Sequence, residues 1–275
     1  MIGGDIFGVD LSRPLLDAEF EAIANALWSR SVICLKDQTL TPEQYAAFAR
    51  RFGEAERIFL SHYAHPDQPD ILLVSNIVEG GRNIGHADAG RVWHTDMSYI
   101  ARPPRATMLY AIEVPRDADG EALGDTHFAS AVDAYDALDA ETRSLIEGRN
   151  AVHRVAGRRK HLGTSRQDDA HREAQPDVVH PVARTHPATG RKSIYVSEGE
   201  CIAIDGLSAD QTVDMVARLQ AKILEPRFRH THRWSEGDLL IWDNCAVQHI
   251  AEFDYRWPEH RRLMHRITVG GEATF

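Results

Sequence analysis

The sequence is poor in cysteine, in basic charge and in long apolar runs, and each shortage excludes something. Three cysteines among 275 residues, Cys34, Cys201 and Cys245, offer no CxxC pair and no zinc-ribbon spacing. An odd set of this kind reads as reduced thiols, which points to the cytoplasm rather than to a disulfide framework. There are 31 Lys+Arg against 41 Asp+Glu, a formal net charge of −10. A dedicated nucleic-acid binder carries a basic field, so this balance speaks against one. The longest apolar stretches, such as residues 71–74, fall far short of a bilayer's span. The opening MIGGDIFGVDLSRPL lacks the basic and apolar regions of a signal peptide. No partnership with nucleic acid or membrane is expected. What is present in ordinary amounts, 43% hydrophobic and 26% charged residues, is enough for a sizeable core. One residue type is in excess: fifteen histidines.

Residues 17–30 (DAEFEAIANALWSR) space Phe20, Ile23, Ala24, Leu27 and Trp28 for one face of a helix. A short apolar run at 31–35 follows and suits a buried strand. Thr41-Pro-Glu-Gln44 supplies an N-cap, a proline at the first helical position and a helix running to Arg51. Beyond Asp70 the segments 71–75, 106–114, 179–185, 193–196, 228–234, 238–242 and 263–269 read as strands, with turn chemistry at 187–190 and 235–237. Helical patches are expected at 129–146 and at 209–224, the second capped by Ser208. Strands outnumber helices without alternating with them, which favours an antiparallel sandwich or jelly roll with flanking helices over a doubly wound sheet. Segments 76–92 and 156–177 are irregular and polar or glycine-rich, as lids are. No repeat or linker divides the chain, so one domain over 1–275 is expected.

The segment VWHTDMSY at 92–99 carries the most chemistry. On an extended strand His94 and Asp96 project to one face and can share a metal ion. A third ligand must come from elsewhere, and His249, in IWDNCAVQH at 241–249, is the best candidate. Two imidazoles and a carboxylate on one side of an ion leave the opposite positions free, as in the facial triad of non-haem Fe(II) oxygenases. A second His-x-Asp, His86 and Asp88, sits among glycines and reads as a solvated turn. His230 and His232 share a strand face between Arg229 and Arg233 with no nearby acid, and read as surface. In the last strand Arg262 and Arg266 point to one face. If buried, each guanidinium needs an anion, and its planar fork suits a carboxylate or sulfonate; if not, both are solvent-facing on an edge strand.

Together these residues resemble the taurine and 2,4-dichlorophenoxyacetate dioxygenases, which depend on Fe(II) and 2-oxoglutarate. The likeness runs nearly end to end through GVDLSRP at 8–14, FARRFG at 48–53, WHTD at 93–96, GDT at 124–126, HPVARTHP at 180–187, WDN at 242–244 with His249, and 261–266. It implies a double-stranded β-helix (jelly roll, cupin-like), mainly β with flanking α-helices. It also implies His94, Asp96 and His249 as iron ligands, and Thr126 and Arg262 as partners of the far carboxylate of 2-oxoglutarate. Arg266 becomes the clamp for an acidic group on the primary substrate, with Tyr99 beside it. Glu200 falls where an apolar pocket residue is expected; it either lines the pocket or is a solvated turn carboxylate. The implied reaction uses O2 and yields succinate, CO2 and a hydroxylated product that collapses if the new hydroxyl sits beside a heteroatom. The implied substrate is a small organic acid such as a sulfonate or aryloxyalkanoate, and a homodimer or homotetramer is expected. Two rivals use the same ligands: a zinc-type hydrolase, which leaves Arg262 and Arg266 unexplained, and a non-catalytic jelly-roll sensor of an acidic metabolite.

Overall fold

The computed structural model describes residues 2–56, 58, 60–155, 157 and 175–275. In chain order the strands are β1 (Asp5–Ile6), β2 (Val32–Leu35), β3 (Leu72–Ser75), β4 (Val78–Glu79), β5 (Arg82–Asn83), β6 (Ala106–Glu113), β7 (Thr126–Ser130) and β8 (Asn150–His153). They continue with β9 (Val178–Pro181), β10 (Ala183–Thr185), β11 (Lys192–Ile194), β12 (Cys201–Ile204), β13 (Arg229–His232), β14 (Leu239–Asp243), β15 (Val247–Ala251) and β16 (Leu263–Val269). A six-stranded sheet has the order β1-β2-β14-β6-β16-β3, and a three-stranded sheet the order β13-β7-β15. Another three-stranded sheet, β12-β8-β9, and the pairs β10-β11 and β4-β5 complete the set. The protein is mostly β with few helices.

The strands of the large sheet are apolar at successive positions because both faces are covered. Ile33, Leu35, Met108, Tyr110, Leu239 and Ile241 pack outward against the helices Asp17–Arg30 and Pro42–Ala49. Their neighbours Cys34, Leu109, Leu240 and Trp242 face inward and meet Phe128 of β7 and Val247 of β15. Strand alternation thus splits one sequence run into two cores. On the outer side the Tyr45 hydroxyl accepts a hydrogen bond from Ile267 N at 3.1 Å, which ties the second helix to β16. Leu27 is fully buried in the same layer, so Leu27→Ala costs about 2–5 kcal/mol.

Three expectations need correction. The patch at 129–146 is not one helix: β7 runs through Ser130, and two short helices, Ala131–Asp136 and Ala140–Ile146, follow. Ser130 and Asp139 each accept a backbone N–H as N-caps, which restarts the chain twice. The strand expected at 179–185 breaks into β9 and β10, which pair with different partners. The switch falls at Val182, whose N–H still donates to Arg149 O beside β8 at 3.0 Å while its carbonyl already accepts from Tyr195 N beside β11 at 2.8 Å. Within the first expected lid, 76–92, lies the small hairpin β4-β5. The second, 156–177, lies mostly outside the described residues. By contrast the helices at 17–30 and Ala209–Ile223 and the strand β16 stand where the pattern puts them. Among the described residues no helix is long and apolar enough to cross a membrane.

Candidate metal centre

His249 lies on β15, and an isolated antiparallel bridge joins it to His94: His94 N donates to His249 O at 3.2 Å and His249 N to His94 O at 2.9 Å. The chain does not continue as a strand after His94. Residues 96–99 form a turn, with Met97 at a φ of 48°. The two side chains therefore converge by a bend rather than by strand alternation, and they do converge. His94 Nε2 is 3.6 Å and His249 Nε2 is 3.8 Å from the same oxygen, Asp96 Oδ1. All three residues are buried, and their ligand-type atoms lie within 4.8 Å of one another.

The surroundings orient two of the three donors, His94 and Asp96. His94 Nδ1 is 2.7 Å from Val92 O, and since a carbonyl only accepts, Nδ1 carries the proton and the Nε2 lone pair faces inward. Asp96 Oδ2 accepts from Thr107 Oγ1 at 2.7 Å and Trp242 Nε1 at 3.1 Å, so Oδ1 is the oxygen turned to the imidazoles. The ring of His249 packs against both Phe128 and Trp242, with centroids at 5.9 and 4.8 Å. Burial first, and then the neighbouring His94, push His249 down to about 3, so its imidazole is neutral at ordinary pH. Burial alone would raise Asp96, but Arg266, His249 and His94 outweigh it and hold the carboxyl well below its usual range. Neutral imidazole and ionised carboxylate are the protonation states a divalent transition metal requires. The donor set fits Fe(II) in type, number and one-sidedness.

The two arginines share the inward face, with Met264 between them and Leu109 paired opposite Arg266. Arg266 reaches the centre itself, its Nη2 lying 2.7 Å from Asp96 Oδ1. Arg262 is 4% exposed and lies over the Tyr255 ring at 5.4 Å, its Nε without a hydrogen bond. A Cβ on Gly124 would stand 2.8 Å from Tyr255 and 3.3 Å from Arg262 Nε, so only glycine lets this arginine lie against the segment leading to Thr126. Thr126 is buried and accepts from Trp234 Nε1 at 3.1 Å. Tyr99 is half-buried in the turn after Asp96. Glu200 is wholly buried and accepts from the Ser197 hydroxyl, so the solvated-turn alternative does not hold.

Two histidine readings also change. His232 is not on the surface: it is 5% exposed, and its Nε2 is 3.1 Å from Asp238 Oδ2. The acid that seemed missing arrives across the turn at 235–237. His86 is half-buried with its ring stacked beside Tyr63 at 6.1 Å, while Asp88 pairs with Arg91 as a solvated turn residue would. Sequence reasoning missed a second buried imidazole–carboxylate pair, His186 with Asp243 at 2.6 Å. The only signal was that HPVARTHP and WDN both belong to the family-like fragments.

Residues 2–268 match the family described as "Taurine catabolism dioxygenase TauD, TfdA family". Pentalenolactone F synthase of Streptomyces arenae is 31% identical over 97% of this chain and 91% of its own. The alpha-ketoglutarate-dependent 2,4-dichlorophenoxyacetate dioxygenase of Cupriavidus pinatubonensis is 32% identical over 96% and 93%. A crystal structure of AAD-2 in complex with Mn(II) and N-oxalylglycine superposes with a TM-score of 0.83 at 29% identity, over 100% of this chain and 97% of that one. The chain belongs to the TauD/TfdA family and is a non-haem Fe(II)- and 2-oxoglutarate-dependent dioxygenase.

Proposed function

We propose that the chain hydroxylates a small anionic organic substrate at the centre formed by His94, Asp96 and His249. The observation that carries this reading is the buried convergence of three donor atoms within 4.8 Å, with a guanidinium, that of Arg266, at the same carboxylate. When bound, Fe(II) and 2-oxoglutarate supply oxidative decarboxylation by O2, giving succinate and CO2 and oxidising a substrate C–H bond. The chain's own residues do the placing. His94 and His249 offer neutral Nε2 atoms, and Thr107 and Trp242 hold Asp96 so that Oδ1 faces the metal. Arg262, which Gly124 admits beside the Thr126 segment, holds the far carboxylate of 2-oxoglutarate together with the Thr126 hydroxyl. Arg266 takes the acidic group of the substrate, since its planar fork suits a carboxylate, sulfonate or sulfate ester. Tyr99 flanks that group, and Glu200 sets the polarity of the pocket wall. Where the hydroxylated carbon bears sulfur, oxygen or nitrogen, the product collapses and the substrate is cleaved.

The facing sheets, joined by the cluster of Phe128, Leu240, Trp242 and Val247, support a double-stranded β-helix and a single domain over 1–275. We further infer a cytoplasmic homodimer or homotetramer, which light scattering on the purified chain tests. The function is tested by incubating the protein with Fe(II), ascorbate and 2-oxoglutarate and screening sulfonates, aryloxyalkanoates and sulfate esters. Stimulated succinate release by at least one anionic class is the expected result. Stimulation by cationic or neutral compounds alone would overturn the assignment of Arg266.

A further inference from the structure

The HPVARTHP segment is a family-like fragment that contributes no ligand to the metal and no contact to the co-substrate, yet it ends beside the turn that carries WDN. Its last histidine is 3% exposed, and its proton positions are set by its neighbours. Ala188 N and Thr189 N both donate to His186 Nδ1, at 3.0 and 3.1 Å, so Nε2 carries the proton and donates to Asp243 Oδ2 at 2.6 Å. Asp243 in turn fixes the turn between β14 and β15: its Oδ1 accepts from Cys245 N at 2.8 Å and its carbonyl from Ala246 N at 3.0 Å. That turn carries Asn244, whose Nδ2 donates to Thr107 Oγ1 at 2.9 Å. With its lone pair so engaged, the Thr107 hydroxyl gives its single proton to Asp96 Oδ2 at 2.7 Å. The same turn receives the Thr95 hydroxyl at Asn244 O and Val247 O, and two residues on it becomes His249.

We propose that His186 is a positioning residue of the metal centre, acting through Asp243 and Asn244 on the Thr107 hydroxyl that orients Asp96. The inference rests on the reading of His94, Asp96 and His249 as the metal ligands. The hydrogen-bond partners of a ligand govern how firmly it is aimed, and their loss typically weakens metal binding about 10–100-fold; His186 stands further back, which places its effect at the low end of that range. A chain of fully buried hydrogen bonds transmits such a loss because no water replaces the missing donor.

The test is a Mn(II) titration, followed by the electron paramagnetic resonance of the free ion, on wild type, His94→Ala, His186→Ala, Asn244→Ala and the double variant His186→Ala/Asn244→Ala. Each protein is first shown to be folded by circular dichroism at the titration temperature. Wild type binds one ion and His94→Ala does not; failure of this pair defeats the ligand assignment, not the positioning role. Given that pair, His186→Ala raises the Mn(II) dissociation constant about tenfold. On the Asn244→Ala background the same substitution adds less than twofold, because the path is already cut. A residue that merely stabilised the fold would lower the melting temperature and leave the affinity of the folded protein unchanged, and that result overturns the proposal. So does an undiminished effect in the double variant. Should His186→Ala not fold, Asp243→Asn replaces it under the same criteria, since an amide cannot accept at both positions.

Discussion

The chain presents His-x-Asp three times, at His65 and Asp67, His86 and Asp88, and His94 and Asp96, and the last two have instructively different fates. In the former, Asp88 is 43% exposed at its side chain and turns to Arg91, and His86 lies against Tyr63. In the latter, the carboxylate is buried, one oxygen is held by two donors, and the imidazole tautomer is fixed by Val92 O. The decisive difference is distant in sequence: β15 delivers His249 by a backbone bridge to His94 itself. Spacing only permits a shared ion. The buried scaffold, which removes competing water and aims the donor atoms of His94 and Asp96, turns permission into a site.

The sharpest way to break this comparison is to exchange the losses. His94→Ala abolishes substrate-stimulated succinate formation after anaerobic Fe(II) reconstitution and exposure to air, whereas His86→Ala retains a metal-binding protein. Equal loss in both would mean that His86 serves the metal as His94 does. Next in size is the split between the arginines. Arg262→Ala raises the 2-oxoglutarate requirement and Arg266→Ala the requirement for the primary substrate, each on the order of 10–100-fold for a lost charge-assisted contact. Steady-state kinetics with each substrate varied decide it, and reversed phenotypes reassign the two anions.

Acid provides a third test. Burial, the largest cause in each case, lowers His153 and His249 to about 3 and His180 and His265 to about 4. Unfolded imidazoles titrate near 6.5, so between pH 6.5 and about 4 the unfolded chain binds protons that the folded chain refuses. Stability therefore falls as pH drops through this window, by about 1 kcal/mol per pH unit for each such histidine. Urea unfolding midpoints at pH 7 and pH 5 measure this, and equal midpoints would contradict the neutral buried imidazoles. The smallest effect belongs to Asp88→Ala, which loses only an exposed ion pair worth less than about 1 kcal/mol and leaves Mn(II) affinity unchanged.

Much of this was legible in local pattern. The helix at 17–30 follows from apolar spacing, the helix at 209–223 from Ser208 and its periodicity, and β16 from strict alternation. Illegible parts share a cause: they depend on contacts made across the fold. Nothing in MSY at 97–99 signals a non-glycine residue at positive φ, so the bend that brings Asp96 to His94 is invisible locally. The run after Thr126 has helix formers, and its strand character comes from pairing with β13 and β15. His186 and Asp243 are 57 residues apart, and His232 looked like surface because its acid lies beyond a turn. His94 and Asp96 were readable from their spacing and His249 as the best third donor, and the resemblance added the long-range pairing that periodicity does not supply.

A crystal structure of the protein with Mn(II) and N-oxalylglycine tests the central claim most directly. It is predicted to show a single ion bound by His94 Nε2, Asp96 Oδ1 and His249 Nε2, with the far carboxylate of N-oxalylglycine on Arg262. An ion held elsewhere, or a His249 ring turned away from the other two donors, would contradict the account.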